Sequence, residues 1–181
     1  MTDTEAAGKR ETYSYSKMHF YIRSIIYSML LISAALIFRG LTIEALPWFI
    51  FLVTLLFIIL AVFGISPLFT SHWITRTRLI LRQGWYFRSI IPMKDIESVD
   101  VYDGEPRMGL SLSTRSSILF VTSSRFDLLE IRLKKPRVYW QMLGLRARRI
   151  VVNVDERDRM LESLRTRLSL LAPVEANRPN A

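Results

Sequence analysis

Two long apolar segments near the N-terminus constrain this chain more than any other feature. Residues 22–38 (IRSIIYSMLLISAALIF) carry one charge, Arg23, and residues 45–69 (ALPWFIFLVTLLFIILAVFGISPLF) carry none. A helix of about 20 apolar residues crosses a bilayer. Because residues 39–44 form a short connection, the sequence predicts an antiparallel transmembrane hairpin. Two buried core helices are the alternative, which the lack of a polar face on the second segment disfavours.

The predicted organisation has four parts, and its fold class is α+β. A disordered cytoplasmic tail (1–19) precedes the transmembrane helical hairpin (20–69), and a cytoplasmic domain (70–171) is followed by a second disordered tail (172–181). A segment of about 100 residues is enough for one small domain.

The charge distribution predicts the orientation and the class of partner. The chain has 25 Lys and Arg against 16 Asp and Glu, a net charge of +9. Basic residues precede the first span and follow the second, whereas the connecting loop has Arg39 offset by Glu44. Basic residues next to a membrane span remain on the cytoplasmic side, so we expect a multi-pass protein of the cell membrane with both termini cytoplasmic. A basic domain tethered there favours anionic lipid over nucleic acid as a partner.

Neither catalysis nor cofactor binding is predicted. The chain has no cysteine, which excludes disulfides and thiolate metal sites, and its histidines, His19 and His72, have no ligand-like neighbours in sequence. We find no catalytic triad pattern and no paired carboxylates. No ionisable residue lies near the middle of either span, so the hairpin is predicted to be an anchor and not a transport path.

Beyond Pro67 the pattern changes to the alternation typical of strands. Residues 73–82 and 85–91 form a predicted hairpin, with Gly84 in the left-handed position of a three-residue loop, 82–84. Further strands are predicted at 95–102, 109–113, 117–122, 126–133 and 149–154, with Pro136 as an interruption. Met160, Leu161, Leu164, Leu168 and Leu171 then recur at helical spacing before Pro173. The domain therefore has about seven antiparallel strands and a C-terminal helix.

The stretch TRTRLILRQG (75–84), followed by Arg88, Ile91-Pro92, Asp95-Ile96 and Val99, resembles the opening of the prokaryotic pleckstrin-homology-like (PH-like) domain family. The resemblance implies a strongly bent seven-stranded antiparallel sheet or barrel capped by a helix, and a binding or assembly role. Members often carry two transmembrane helices upstream. The first hairpin loop is short here, so phosphoinositide recognition is not implied.

Two groups of basic residues are candidate sites. The first is a stripe that places basic side chains on one sheet face, as a site for anionic lipid headgroups: Arg76, Arg78, Arg82 and Arg88. The second surrounds an aromatic and apolar centre, as a site for the membrane or a protein partner: Lys134, Lys135, Arg137, Tyr139, Trp140, Arg146, Arg148 and Arg149. Alternatively, Trp140 and Leu143 cover one end of the barrel.

The sequence therefore predicts a non-enzymatic, membrane-anchored module. Its predicted role is protein–protein interaction at the cytoplasmic membrane face, with a protein partner or a second copy of the chain. The alternatives are an anionic-lipid sensor and an accessory subunit of a membrane transporter or enzyme complex.

Overall fold

The computed structural model describes residues 10–37, 43–113 and 116–176 and confirms the mixed α+β class. Two apolar helices precede the β-sheets, and another helix follows them. The described chain forms two compact units. The helical unit contains Lys17–Thr70 with Gln83–Tyr86, and the β unit contains residues 10–16, 71–82 and 87–176.

The helical unit has two helices long and apolar enough to cross a membrane. Helix α1 spans Met18–Ile37. Helix α2 spans Leu46–Phe69. Its first part, Leu46–Ile59, is α-helical, and a π-helical turn, Leu60–Ile65, and a 3-10 turn, Ser66–Phe69, complete it. In the apolar stretches of these two helices, 11% and 17% of the residues are buried, whereas a core helix is mostly buried. Both helices therefore present apolar side chains to their surroundings.

The turn Gln83–Tyr86 belongs to the helical unit because two hydroxyl groups at the end of α2 hold its backbone. Gly84 N–H donates to Thr70 Oγ1 at 2.9 Å, and Trp85 N–H donates to Ser66 Oγ at 3.0 Å. Gly84 has the predicted left-handed conformation, with φ of 61°, and a Cβ there would lie 2.6 Å from Ser66 Oγ. Both the backbone conformation and the available space therefore require glycine.

The β unit has nine strands in its described part, arranged in two sheets. Sheet A has the order β1-β2-β3-β4, and sheet B has the order β5-β8-β9-β7-β6. The strands are β1 (Glu11–Tyr13), β2 (His72–Ile74), β3 (Arg78–Gln83), β4 (Phe87–Pro92), β5 (Ile96–Val101), β6 (Gly109–Ser113), β7 (Ile118–Thr122), β8 (Leu128–Tyr139) and β9 (Leu145–Asn153).

Two of the three differences from seven antiparallel strands lie within the predicted cytoplasmic domain. The predicted strand 73–82 is a hairpin of β2 and β3, because the N–H and hydroxyl of Thr75 both donate to Arg78 O at 2.9 Å and reverse the chain. In addition, β7 pairs with β9 in parallel, with Ile118 opposite Arg149. All five residues of β7 are buried, as expected for a parallel strand covered on both faces. The connecting loop between β3 and β4 is also later than predicted, at residues 84–86.

The predicted disordered tail 1–19 contains an ordered strand, β1. Glu11 pairs with Ile74 and Tyr13 pairs with His72, both antiparallel. A strand of three residues in a polar segment is too short to show an alternating hydrophobic pattern. It is a strand because it pairs with β2. The helical hairpin is consequently inserted in the chain between two neighbouring strands of one sheet.

Helix α3 spans Arg157–Ala176 and packs on β5 and β8. Met160 and Leu164 are fully buried on its predicted apolar face. The helix continues past Pro173, where we predicted its end, because a proline removes one hydrogen bond while its φ remains compatible with a helix. Arg167 is buried on the same face and pairs with Glu11 of β1. The strand that precedes the hairpin is thus joined to the C-terminal helix.

Candidate functional site

A large bulge in β8 shapes the candidate site. From Arg132 to Arg137, β8 advances by five residues, while its partner β9 advances by two, from Arg149 to Ala147. The additional residues leave the hydrogen-bond ladder, so Pro136 fits within the strand without breaking a ladder bond. The interruption predicted at Pro136 is therefore a bulge inside a strand of 12 residues.

Arg148 of β9 contacts this bulge, and its neighbour Arg149 pairs with β8 before the bulge. Arg148 Nε donates to Leu133 O at 3.2 Å, and its Nη2 lies 3.1 Å from the carboxylate of Glu97. Arg149 lies 3.6 Å from the carboxylate of Glu130. Both arginines belong to the second predicted group, and in the structure they form intramolecular ion pairs.

The bulge forms one wall of a cleft of about 670 Å³, and β4 with the start of β3 forms the other. Four basic side chains and one acidic side chain line it, together with an apolar floor; the charged residues are Arg78, Lys134, Lys135, Arg137 and Asp95. Arg137 is held in place because its Nη1 donates to Ile90 O. This cleft, here called the basic cleft, brings Arg78 of the predicted stripe together with three residues of the second predicted group.

The turn between β8 and β9 presents two large apolar side chains to solvent. Trp140 is 83% exposed and Leu143 is 96% exposed. Leu143 has a left-handed backbone, with φ of 55°, which costs a residue with a Cβ about 1 kcal/mol. We call Trp140 and Leu143 the apolar tip. The alternative in which they cover one end of the barrel is wrong, because both side chains are exposed.

Basic residues surround the apolar tip, and a buried aromatic pair supports it. Tyr139 is buried and its ring stacks on Phe87 with centroids 6.4 Å apart, so Tyr139 positions the turn and is not itself on the surface. Burial also raises the pKa of Tyr139. Gln141 Nε2 donates to Arg88 O at 3.2 Å. Arg88 is exposed, and so is Arg146, the second residue of β9 after the turn.

Three of the four arginines of the predicted stripe lie on the outward faces of strands: Arg78 and Arg82 alternate with buried residues on β3, and Arg88 does so on β4. Arg78 lines the basic cleft and Arg88 lies beside the tip, whereas Arg76 is in the turn between β2 and β3 and Arg82 is half-buried on β3. Arg76 is separated from the other three because the chain reverses at Thr75 instead of continuing as one strand. Sequence reasoning placed Leu143 in the apolar centre of the second group without naming it as a site residue, although the glycine that follows it marks a turn.

A search of protein-family models, curated proteins and solved structures finds no match for this chain. Its function is therefore inferred from the basic cleft, the apolar tip and the two apolar helices.

Proposed function

We propose that this chain is a membrane-anchored, non-enzymatic binding module whose β unit docks on the anionic cytoplasmic face of the membrane through the apolar tip. The two helices anchor the chain, and the tip with its flanking arginines provides the reversible contact. The exposure of Trp140 and Leu143, in a turn that contacts Arg88 through Gln141 and is followed by Arg146, is the observation that carries the proposal.

The strand pairing supports the topology in this proposal. β1 precedes the first helix and β2 follows the second, yet these strands are paired residue by residue. Two paired strands must lie on the same side of a membrane, as a double crossing requires. Residues 14–17 and residues 70–71 connect the strands to the helices, so both connections are short.

The composition of the tip supports lipid as its partner. Tryptophan prefers the membrane interface, and an exposed leucine gains free energy by entering the acyl region. Each basic side chain near an anionic surface adds about 1 kcal/mol of attraction. The tether raises the local concentration, so a modest gain from these groups is enough to populate the docked state.

The PH-like identity suggested by residues 75–99 is part of the proposal. A β-rich unit closed by a C-terminal helix supports it. Nine described strands and a parallel pair depart from the seven antiparallel strands that the resemblance implies.

The test uses the absence of cysteine in the chain. Leu143→Cys carries an environment-sensitive fluorophore on the full-length protein in lipid nanodiscs. We expect a blue-shifted emission in discs that contain phosphatidylglycerol, and the shift should decrease with added salt because exposed charges are screened. Trp140→Ala in the labelled protein should lower the docked-to-free ratio about tenfold.

Phe126→Cys is the matched control, since Phe126 is 77% exposed at the opposite end of β8. Its label should remain in water in every lipid. Equal emission from the Leu143→Cys and Phe126→Cys labels in anionic discs would contradict membrane docking.

A protein partner is the second candidate for the same tip. Exposed tryptophan is typical of the residues that dominate protein interfaces. This candidate, which includes a second copy of the chain, is favoured if the Leu143→Cys label stays in water in anionic discs while Trp140→Ala abolishes recovery of a co-purifying protein or of the oligomer from mild detergent.

A further inference from the structure

We propose that the basic cleft is a binding site for a phosphate group, distinct from the apolar tip. The ligand is a phosphate ester, supplied either by a lipid headgroup or by a soluble molecule. The site is built by the β8 bulge, and it does not depend on the membrane docking proposed above.

The charge of the cleft selects an anion of high charge. Four basic side chains face one carboxylate, that of Asp95, so the lining has a large positive excess. A phosphate ester carries up to two negative charges and several strong acceptors. Arginine binds phosphate in a bidentate manner and lysine binds it as a point charge, and the cleft offers both kinds of group.

The bulge gives the cleft its donors in a fixed arrangement. In a regular strand, Lys134 and Lys135 would point to opposite faces. Because residues 133–136 leave the pairing with β9, both lysines line the same cleft. Arg148 fixes the bulge from behind through Leu133 O, and the bond to Ile90 O uses one of the five N–H donors of Arg137. Bulges of this kind often occur next to functional sites, where they redirect side chains.

The size and floor of the cleft define the rest of the ligand. A volume of about 670 Å³ is within the range of small-molecule sites. Ile91 and Leu133 are buried beneath it, and Val138 is partly exposed at its side. A ligand that carries an apolar or glycerol portion next to its phosphate would contact this floor while the phosphate meets the basic rim.

The experiment has two arms, both with full-length protein in nanodiscs. In the first arm, inorganic phosphate and glycerol 3-phosphate are titrated against protein in pure phosphatidylcholine discs, and binding is measured by isothermal titration calorimetry. In the second arm, the discs contain phosphatidic acid, and native mass spectrometry counts the phosphatidic acid molecules retained by the protein. Binding in the first arm identifies a soluble source, and binding in the second arm alone identifies a lipid source.

Two cleft variants and a matched control decide the location. We expect Arg78→Ala and Lys135→Ala each to weaken binding about tenfold in the arm that shows it. Both side chains are exposed, so neither substitution should change the melting temperature of the protein. Arg125→Ala removes the same charge from the exposed turn before β8 and should bind as tightly as the wild type.

The proposal is overturned if neither arm shows binding, or if the cleft variants and Arg125→Ala bind equally. Leu143→Asp should leave phosphate binding in the cleft unchanged. A protein that binds phosphate without docking its tip therefore supports this inference alone, and a protein that docks its tip without binding phosphate supports the proposed function alone.

Discussion

Replacing Glu11 with alanine is expected to destabilise the β unit by about 2 kcal/mol. The Glu11 carboxylate accepts hydrogen bonds from Tyr13 at 2.6 Å and Ser163 at 2.7 Å, and it pairs with Arg167. The Arg167 side chain is 6% exposed, so its charge needs this carboxylate. Losing it should release β1 from α3, as measured by urea unfolding in detergent and by tryptic cleavage at Arg10.

Glu156→Ala is the matched control for this prediction. Its carboxylate pairs with Arg159 at 2.6 Å on the surface, where solvent screening leaves an ion pair little effect on stability. The double variant Glu11→Ala, Arg167→Leu should recover part of the loss, because it removes the buried charge together with its partner. If Glu11→Ala is as stable as Glu156→Ala, β1 does not hold the β unit together.

Acidification is expected to cost the β unit about 3 kcal/mol between pH 6.5 and pH 4 through His72. His72 is fully buried, and burial lowers its pKa from 6.5 to about 4. Its Nδ1 accepts the Arg82 N–H at 3.2 Å, so the ring is neutral with its proton on Nε2. Within the described residues, Nε2 has no hydrogen-bond partner to stabilise a charge.

The direction of the pH effect follows from proton binding in the two states. Below pH 6.5 the unfolded chain takes up a proton on His72 that the folded chain binds only near pH 4. The contribution of neutral His72 to the free energy of unfolding is therefore fully present above pH 6.5 and is lost as the pH falls towards 4.

Urea unfolding at a series of pH values measures this loss, and His72→Asn should remove the slope while keeping an acceptor for Arg82. His19→Asn, in α1, should retain the slope. An unchanged slope in His72→Asn would show that another group is responsible.

Sequence reasoning located the elements whose signal is local. Two uninterrupted apolar segments predicted α1 and α2, and the spacing of Met160 and Leu164 predicted the buried face of α3. The position of Gly84 between two alternating segments predicted the left-handed turn that the structure shows there. In each case the evidence lies within a few residues of the feature, so the pattern in the chain is sufficient.

The features that the sequence did not predict depend on contacts between distant segments. β1 exists because Glu11 and Tyr13 pair with β2, about 60 residues later, across the helical hairpin. The basic cleft joins Arg78 to Lys135 through a register shift that Pro136 suggests but does not specify. Likewise, the exposure of Trp140 depends on which strand ends surround it. From the sequence alone, an aromatic residue in a turn between strands is equally typical of a side chain that covers the end of a barrel.

The proposal that the chain crosses the membrane twice, with the β unit on the cytoplasmic side, is tested most directly by measuring which side of the membrane each segment faces. Single cysteines at Ile43, between the helices, and at Phe126, in the β unit, are introduced into the naturally cysteine-free chain. Intact cells are then treated with a membrane-impermeant maleimide. We expect Ile43→Cys to be labelled in intact cells and Phe126→Cys to be labelled only after permeabilisation. Labelling of Phe126→Cys in intact cells would contradict the account.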